Sequence, residues 1–272
     1  MILVVDKNSE LVANFFADRL SLNPFKSLIS DFFLSRDVLN KIQDELRKQH
    51  ESGFKLVVTT SEKIVADYLL SRFSTDAIVC YPISLTAICC FYEEIAYWLG
   101  RKSLGQDVAQ RFHSQIKTWI VNFSDRLKLK KVAVICGLNP LKTLGGYLAE
   151  ICSMCSSRPF SQNFLEETDI RQLFDFNPDI IIFNISGSVE NVLTLTSENK
   201  EFESCSAGLK GSIFYVPSNK YSFLNISPDS AFVNASIFIS ILADVDSGYM
   251  TPKQSFYKLS YIQMFRHKLG SI

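Results

Sequence analysis

Residues 84–128 constrain this chain more than any other stretch. In SLTAICCFYEEIAYWLG, the residues Leu85, Ile88, Cys89, Tyr92, Ile95, Ala96 and Leu99 recur at steps of three and four. The spacing continues in SLGQDVAQRFHSQIKTWIVNFSDRLK through Val108, Phe112, Ile116, Trp119, Ile120, Phe123 and Leu127. That is the 3.6-residue period of an amphipathic helix. The second stretch alone would reach about 35–40 Å, the width of a domain. Gly100 and Gly105 interrupt the run, and Ser103 and Gln106 stand at capping-box spacing. Two successive helices are therefore expected, the second crossing between lobes.

On both sides the chain changes to short apolar strands alternating with helices. Before the spine, Ile2–Val5, Phe25–Phe33, Phe54–Val58 and Ala77–Cys80 read as strands. Between them lie helical patterns around Leu11–Leu20, Val38–Leu46 and Ile64–Phe73, with Ser9 and the Thr59/Glu62 pair as caps. After it, Val132–Cys136, Ile180–Phe183 and Ser212–Val216 read as strands, with helices near Leu144–Met154, over Ile170–Phe176, opening at Asn184–Ser188, and following Ser227-Pro228-Asp229. From Thr251, the residues Phe256, Leu259, Ile262, Phe265 and Leu269 suggest a last amphipathic helix. The expected fold is α/β: two lobes with mostly parallel sheets flanked by helices, joined by a long helical backbone. The boundaries are an N-terminal lobe at 1–83, a spine at 84–128, a C-terminal lobe at 129–249 and a helix at 250–272 packing back on a lobe.

Ligands of such sheets sit beyond the carboxyl ends of the strands. Those ends supply the ligand-binding candidates. In the first lobe they are Asp6, Asn8, Thr59, Thr60, Ser61 and Tyr81; in the second, Leu138, Asn139, Asn184, Ser186, Asn219 and Tyr221. No catalytic or metal-binding set accompanies them. His50, His113 and His267 form no HxH or HExxH pair, and no GxSxG, Walker A or GxGxxG motif occurs. An enzyme is the less favoured reading, and no cofactor is expected. Gly145-Gly146 is open to two readings, a close backbone approach to a ligand or a turn with tight helix packing.

The 272-residue chain has a formal net charge of zero and shows no basic stripe in its sequence, which argues against nucleic acid as a partner. No apolar window is long enough for a membrane span. The chain opens on MILVVD, a strand rather than a signal sequence, and its seven cysteines are odd in number and sit in apolar elements. A cytoplasmic protein is expected on these grounds, or a periplasmic one if the N-terminus has been trimmed. Cys152 and Cys155 form a CxxC without a second pair at zinc spacing, and packing is favoured over metal binding there.

YPISL, the helix ending YWLGRKSLGQDVAQRF, KVAVICGLNPLKTLGGYLAEIC, DIRQLFDFNPDIIIFNIS and LKGSIFYVPSNKYSF follow one another in an order that resembles a known family. It is the helical-backbone (class III) periplasmic solute-binding proteins of ABC importers. Asn139-Pro140 and Gly145-Gly146 fall where that family places an Asp/Asn-Pro and a Gly-Gly. The first lobe departs from it, with VVDKNSE where an SLSPS-type opening is usual. The resemblance implies a small ligand of the cobalamin, ferric siderophore or haem type, held non-covalently in an inter-lobe cleft, and an ABC permease as partner. Two alternatives stand beside it. One is an enzyme like the uroporphyrinogen-III synthases, which MILVVDKNSELVANFFADRL and VVTTSEKIVADYLL faintly resemble. The other is a cytosolic interaction protein that kept a receptor-like fold and lost its ligand.

Overall fold

The structure, a computed structural model, describes residues 2–17, 25–246, 251–252 and 254–259. The chain divides into two compact units, residues 1–115 with 224–231, and residues 116–223 with 232–272. The first division falls inside one helix and the second between Phe223 and Leu224.

The first unit contains a three-stranded parallel sheet in the order β1 (Ile2–Val4), β2 (Lys55–Thr59), β3 (Ala77–Cys80). Ile2 pairs with Lys55, and Leu56 with Ala77. Helices α1 (Lys7–Ala17), α2 (Arg36–Glu51) and α3 (Lys63–Phe73) connect the strands, and α4 (Leu85–Trp98) follows them. Val5, Leu56, Val58, Leu69 and Phe73 lie in its buried core. Phe25–Phe33 is not the strand its composition suggests. Leu28 and Ile29 instead donate single backbone hydrogen bonds to the Val4 and Val5 carbonyls, at 3.1 and 2.9 Å, without forming a ladder.

The spine is two helices, as the glycine break implies. α4 ends at Trp98 with Leu99 as its C-cap, Gly100 takes φ +70°, and α5 spans Lys102–Asn122. Ser103 therefore lies inside the helix rather than at its cap. At Gly105 a Cβ would stand 2.5 Å from the Cβ of Ala96, so the bare backbone is what lets α5 approach α4 this closely.

The second unit holds a seven-stranded sheet. Its centre is parallel: β4 (Lys131–Leu138), β8 (Ile180–Phe183) and β9 (Ile213–Tyr215), with the two-residue β6 (Arg158–Pro159) on the other side of β4. Three further strands are antiparallel: β5 (Leu141–Leu144), β7 (Leu165–Glu167) and β10 (Tyr257–Leu259). They were not legible as strands because each is three or four residues long and lacks a full alternation. Asn139-Pro140 is thus a hairpin turn between β4 and β5, and the next helix, α6 (Tyr147–Met154), starts only after Gly145-Gly146.

Tyr257–Leu259 corrects the expectation of a helix there; residues 260–272 lie outside the described residues. The remaining helices are α7 (Ile170–Phe176), α8 (Val189–Glu198), α9 (Lys200–Ser204), α10 (Ser206–Leu209) and α11 (Pro228–Leu242). Proline opens α11 at its first position, where the missing N–H costs nothing.

The Gly-Gly pair has a packing explanation. A Cβ on Gly145 would meet the Ser161 carbonyl oxygen at 2.3 Å and that of Asn163 at 2.6 Å, while Gly146 takes φ +58° to start α6. Ile135, Ile181, Phe183, Phe202 and Tyr215 lie in a buried core of this unit. All seven cysteines are free. Burial pushes the Cys152 and Cys155 thiols up to about 12, which makes them packing residues.

Candidate functional site

In the first unit the polar strand ends face inward. Asp6 follows β1 and caps α1: its carboxylate accepts the Ser9 amide at 3.0 Å and the Ser9 hydroxyl at 2.9 Å. It also accepts the Thr59 amide at 2.6 Å and the Thr59 hydroxyl, which ties the end of β2 to the start of α1. Asp6, not Ser9, is the cap, and Thr59 serves Asp6 rather than α3. Burial raises the Asp6 carboxyl to about 7, against the four hydrogen bonds that pull it down.

Thr60 donates to the Leu34 carbonyl at 2.7 Å. Asn8 donates to the Phe32 and Leu224 carbonyls at 3.0 and 2.9 Å, and its side-chain oxygen accepts the Ile226 amide at 3.0 Å. All four candidates, Asp6, Asn8, Thr59 and Thr60, are buried. Ser61 and Tyr81 are half-buried, and Tyr81 borders a depression of about 440 Å³ between α3 and α4.

The second unit repeats the device with a different asparagine. Asn184, at the end of β8, donates to the carbonyls of Val216 at 3.2 Å and Tyr221 at 2.8 Å, and accepts the Phe223 amide at 2.8 Å. It is buried. Asn234 on α11 donates to the Ser222 carbonyl at 2.7 Å, and the Tyr147 hydroxyl donates to that of Phe223 at 3.1 Å. Leu138 packs against the core, and Tyr221 is half-buried. Asn139 sits exposed at the hairpin turn, and Ser186 and Asn219 are exposed in the loops after β8 and β9.

A cavity of about 820 Å³ lies beside those last two loops, bordered by Gly187, Glu190, Asn219 and Lys220 and floored by Tyr215 and Tyr257. The two tyrosine rings stack with centroids 6.2 Å apart and planes at 25°. Tyr215 is buried and donates its hydroxyl to the Gly187 carbonyl at 2.5 Å. Tyr257 keeps 43% of its surface exposed, so it presents an aromatic face to the cavity. Of the twelve candidates, Asn219 lines this cavity and Ser186 adjoins its rim. Sequence reasoning missed Tyr215, inside a strand, and Tyr257, inside a stretch assigned to a helix. No local signal marks Tyr257, because Phe256-Tyr257-Lys258-Leu259 carries no strict alternation and β10 is set by its pairing with β9. An aromatic face, a lysine and an amide are the means of non-covalent capture.

No family model matches the chain, and no curated protein matches it. Solved structures do: the chain has the fold of the helical-backbone periplasmic solute-binding proteins. It is similar to an ABC transporter substrate-binding protein from Listeria monocytogenes EGD-e, at 14% identity and TM-score 0.60 over 89% of this chain and 99% of that one. It is similar to S. aureus IsdE complexed with heme, at 13% identity and TM-score 0.60 over 88% and 98%. It is also similar to the periplasmic vitamin B12 binding protein BtuF of Vibrio cholerae, at 11% identity and TM-score 0.58 over 88% and 97%.

At such identities the likeness is one of fold. It nonetheless overturns the cytoplasmic expectation, since structures sharing this fold are periplasmic binding proteins. Neither the opening MILVVD nor an odd cysteine count carries enough weight against that. Among the described residues, no helix is long and apolar enough to cross a membrane.

Proposed function

We propose that this chain is an extracytoplasmic receptor that captures a small molecule without changing it and delivers it to an ABC permease. The observation that carries the reading is the cavity of about 820 Å³ beside the ends of β8 and β9. It falls within the range of about 300–1,000 Å³ usual for small-molecule sites. The fold supports the same reading, because solved proteins that share it bind heme and vitamin B12.

The ligand class is cobalamin-, siderophore- or haem-like: a large, partly flat molecule that stacks on Tyr257 and turns a polar edge to Lys220 and Asn219. Ser186, beside the lining residue Gly187, adds a hydroxyl at the rim. The buried Asn184 holds the loop after β9 through Val216, Tyr221 and Phe223. Thermal-shift and absorbance titrations with haem, cobalamin and ferric siderophores test this. Stabilisation by one of them is the expected result, with an affinity about tenfold weaker in Tyr257→Ala. No stabilisation by any of the three, together with no small molecule co-purifying by mass spectrometry, would sink it.

A further inference from the structure

At the amino ends of β4, β6, β8 and β9, away from the loops that border the cavity, the second unit carries a surface that neither the fold nor ligand capture accounts for. Leu129 stands there 85% exposed between Lys128 and Lys130, and Leu209, 69% exposed, precedes Lys210. Lys128, Leu129, Lys130 and Lys210 share one shallow hollow of about 220 Å³, so the tertiary fold joins two stretches eighty residues apart in sequence. The basic surface continues through Lys131 and Arg158, paired across β4 and β6, each with its cation over the Phe176 ring. The carboxylates at the hollow are engaged: Asp179 holds Lys210 at 2.7 Å and Asp244 holds Lys258 at 2.8 Å. The Lys130 ammonium donates to the Leu242 carbonyl at 2.7 Å. Cations are left in excess, with bare leucines among them.

We propose that this surface docks the protein on an anionic phospholipid bilayer. Leucines set among lysines match the two layers of that surface, since aliphatic side chains enter the boundary between headgroup and acyl chain while ammonium groups meet lipid phosphates. The inference does not depend on what the cavity binds.

Sedimentation of the full chain with vesicles of phosphatidylcholine alone, and of phosphatidylcholine mixed with phosphatidylglycerol, tests it. Binding to the mixed vesicles only is expected, lost at about 1 M salt, where the screening length falls to about 3 Å. Lys128→Glu should weaken that binding about thirtyfold, from a reversed charge at the surface. Leu129→Ser should weaken it about tenfold. Lys102→Glu, an exposed lysine of the first unit, makes the same change of net charge and should leave binding unaltered. Circular dichroism melts establish that each variant is folded. Absence of binding to the mixed vesicles, equal binding to both kinds, or an equal loss in Lys102→Glu would each overturn the proposal.

Discussion

Asp6 carries a carboxyl that water does not reach, and its response to pH follows from that. Its value rises from 3.8 to about 7 on folding, so between those two values the folded state binds a proton that the unfolded chain has released. The stability this supplies is complete below about 3.8 and is lost as pH rises through about 7. Urea unfolding should therefore show a stability that falls between about pH 4 and about pH 7, and Asp6→Asn should flatten that slope. An unchanged slope in the variant would assign the titration elsewhere. Asn184 tests a second buried polar group. Truncating it to alanine strips partners from the Val216 and Tyr221 carbonyls and the Phe223 amide, and should cost about 2–4 kcal/mol in the same assay. Asn139→Ala, at an exposed turn, should stay within about 0.5 kcal/mol. The strand-end positions of Asp6, Asn8, Thr59, Thr60 and Asn184 were legible from the alternation of elements, but their inward orientation was not. A polar residue after a strand serves a ligand or the fold, and the choice depends on backbone groups far away in sequence. For Asn8 those are Leu224 and Ile226.

The segment Tyr221–Ile226 gathers more side-chain capping than any regular element beside it. The carbonyls of Tyr221, Ser222, Phe223, Leu224 and Ile226 accept from Asn184, Asn234, Tyr147, Asn8 and Tyr92 in turn. A segment with no helix or strand ladder has to satisfy its buried backbone this way. Glycines at element ends give the sharpest test of packing. Gly145→Ala, with backbone oxygens at 2.3 and 2.6 Å from the new methyl, should cost at least about 2 kcal/mol in a thermal melt. Gly53→Ala, at φ +82° with open space around it, should cost about 1 kcal/mol from backbone strain alone. Equal losses would mean that the close approach at Gly145 relaxes readily. The long helices, the strands β4 and β8 and the break before α5 were visible from periodicity and glycine placement. The short antiparallel strands were not, because β5, β7 and β10 are specified by partners across the sheet rather than by their own pattern.

For the whole molecule, a receptor that binds in its folded state alone gains stability with ligand. A hundredfold excess of ligand over Kd adds about 2.7 kcal/mol, which for a chain of this size raises Tm by about 5–10 °C. A haem, cobalamin or ferric siderophore that belongs to the cavity should produce a shift of that order, reduced in Tyr257→Ala.

The sequence by itself determined the class of fold. The 3.6-residue period over residues 84–128 and the strand–helix alternation on both sides are local patterns, set by which neighbouring side chains share a face. The tertiary structure alone decided that the two helices of the spine meet closely at Gly105 and Ala96, and that Tyr257 joins a sheet edge beside Tyr215. It also decided that Asp6, Asn8, Thr59, Thr60 and Asn184 turn inward and that Lys128 and Lys210 come to one surface. Each of these rests on contacts between residues distant in the chain, whose free energy no local window contains.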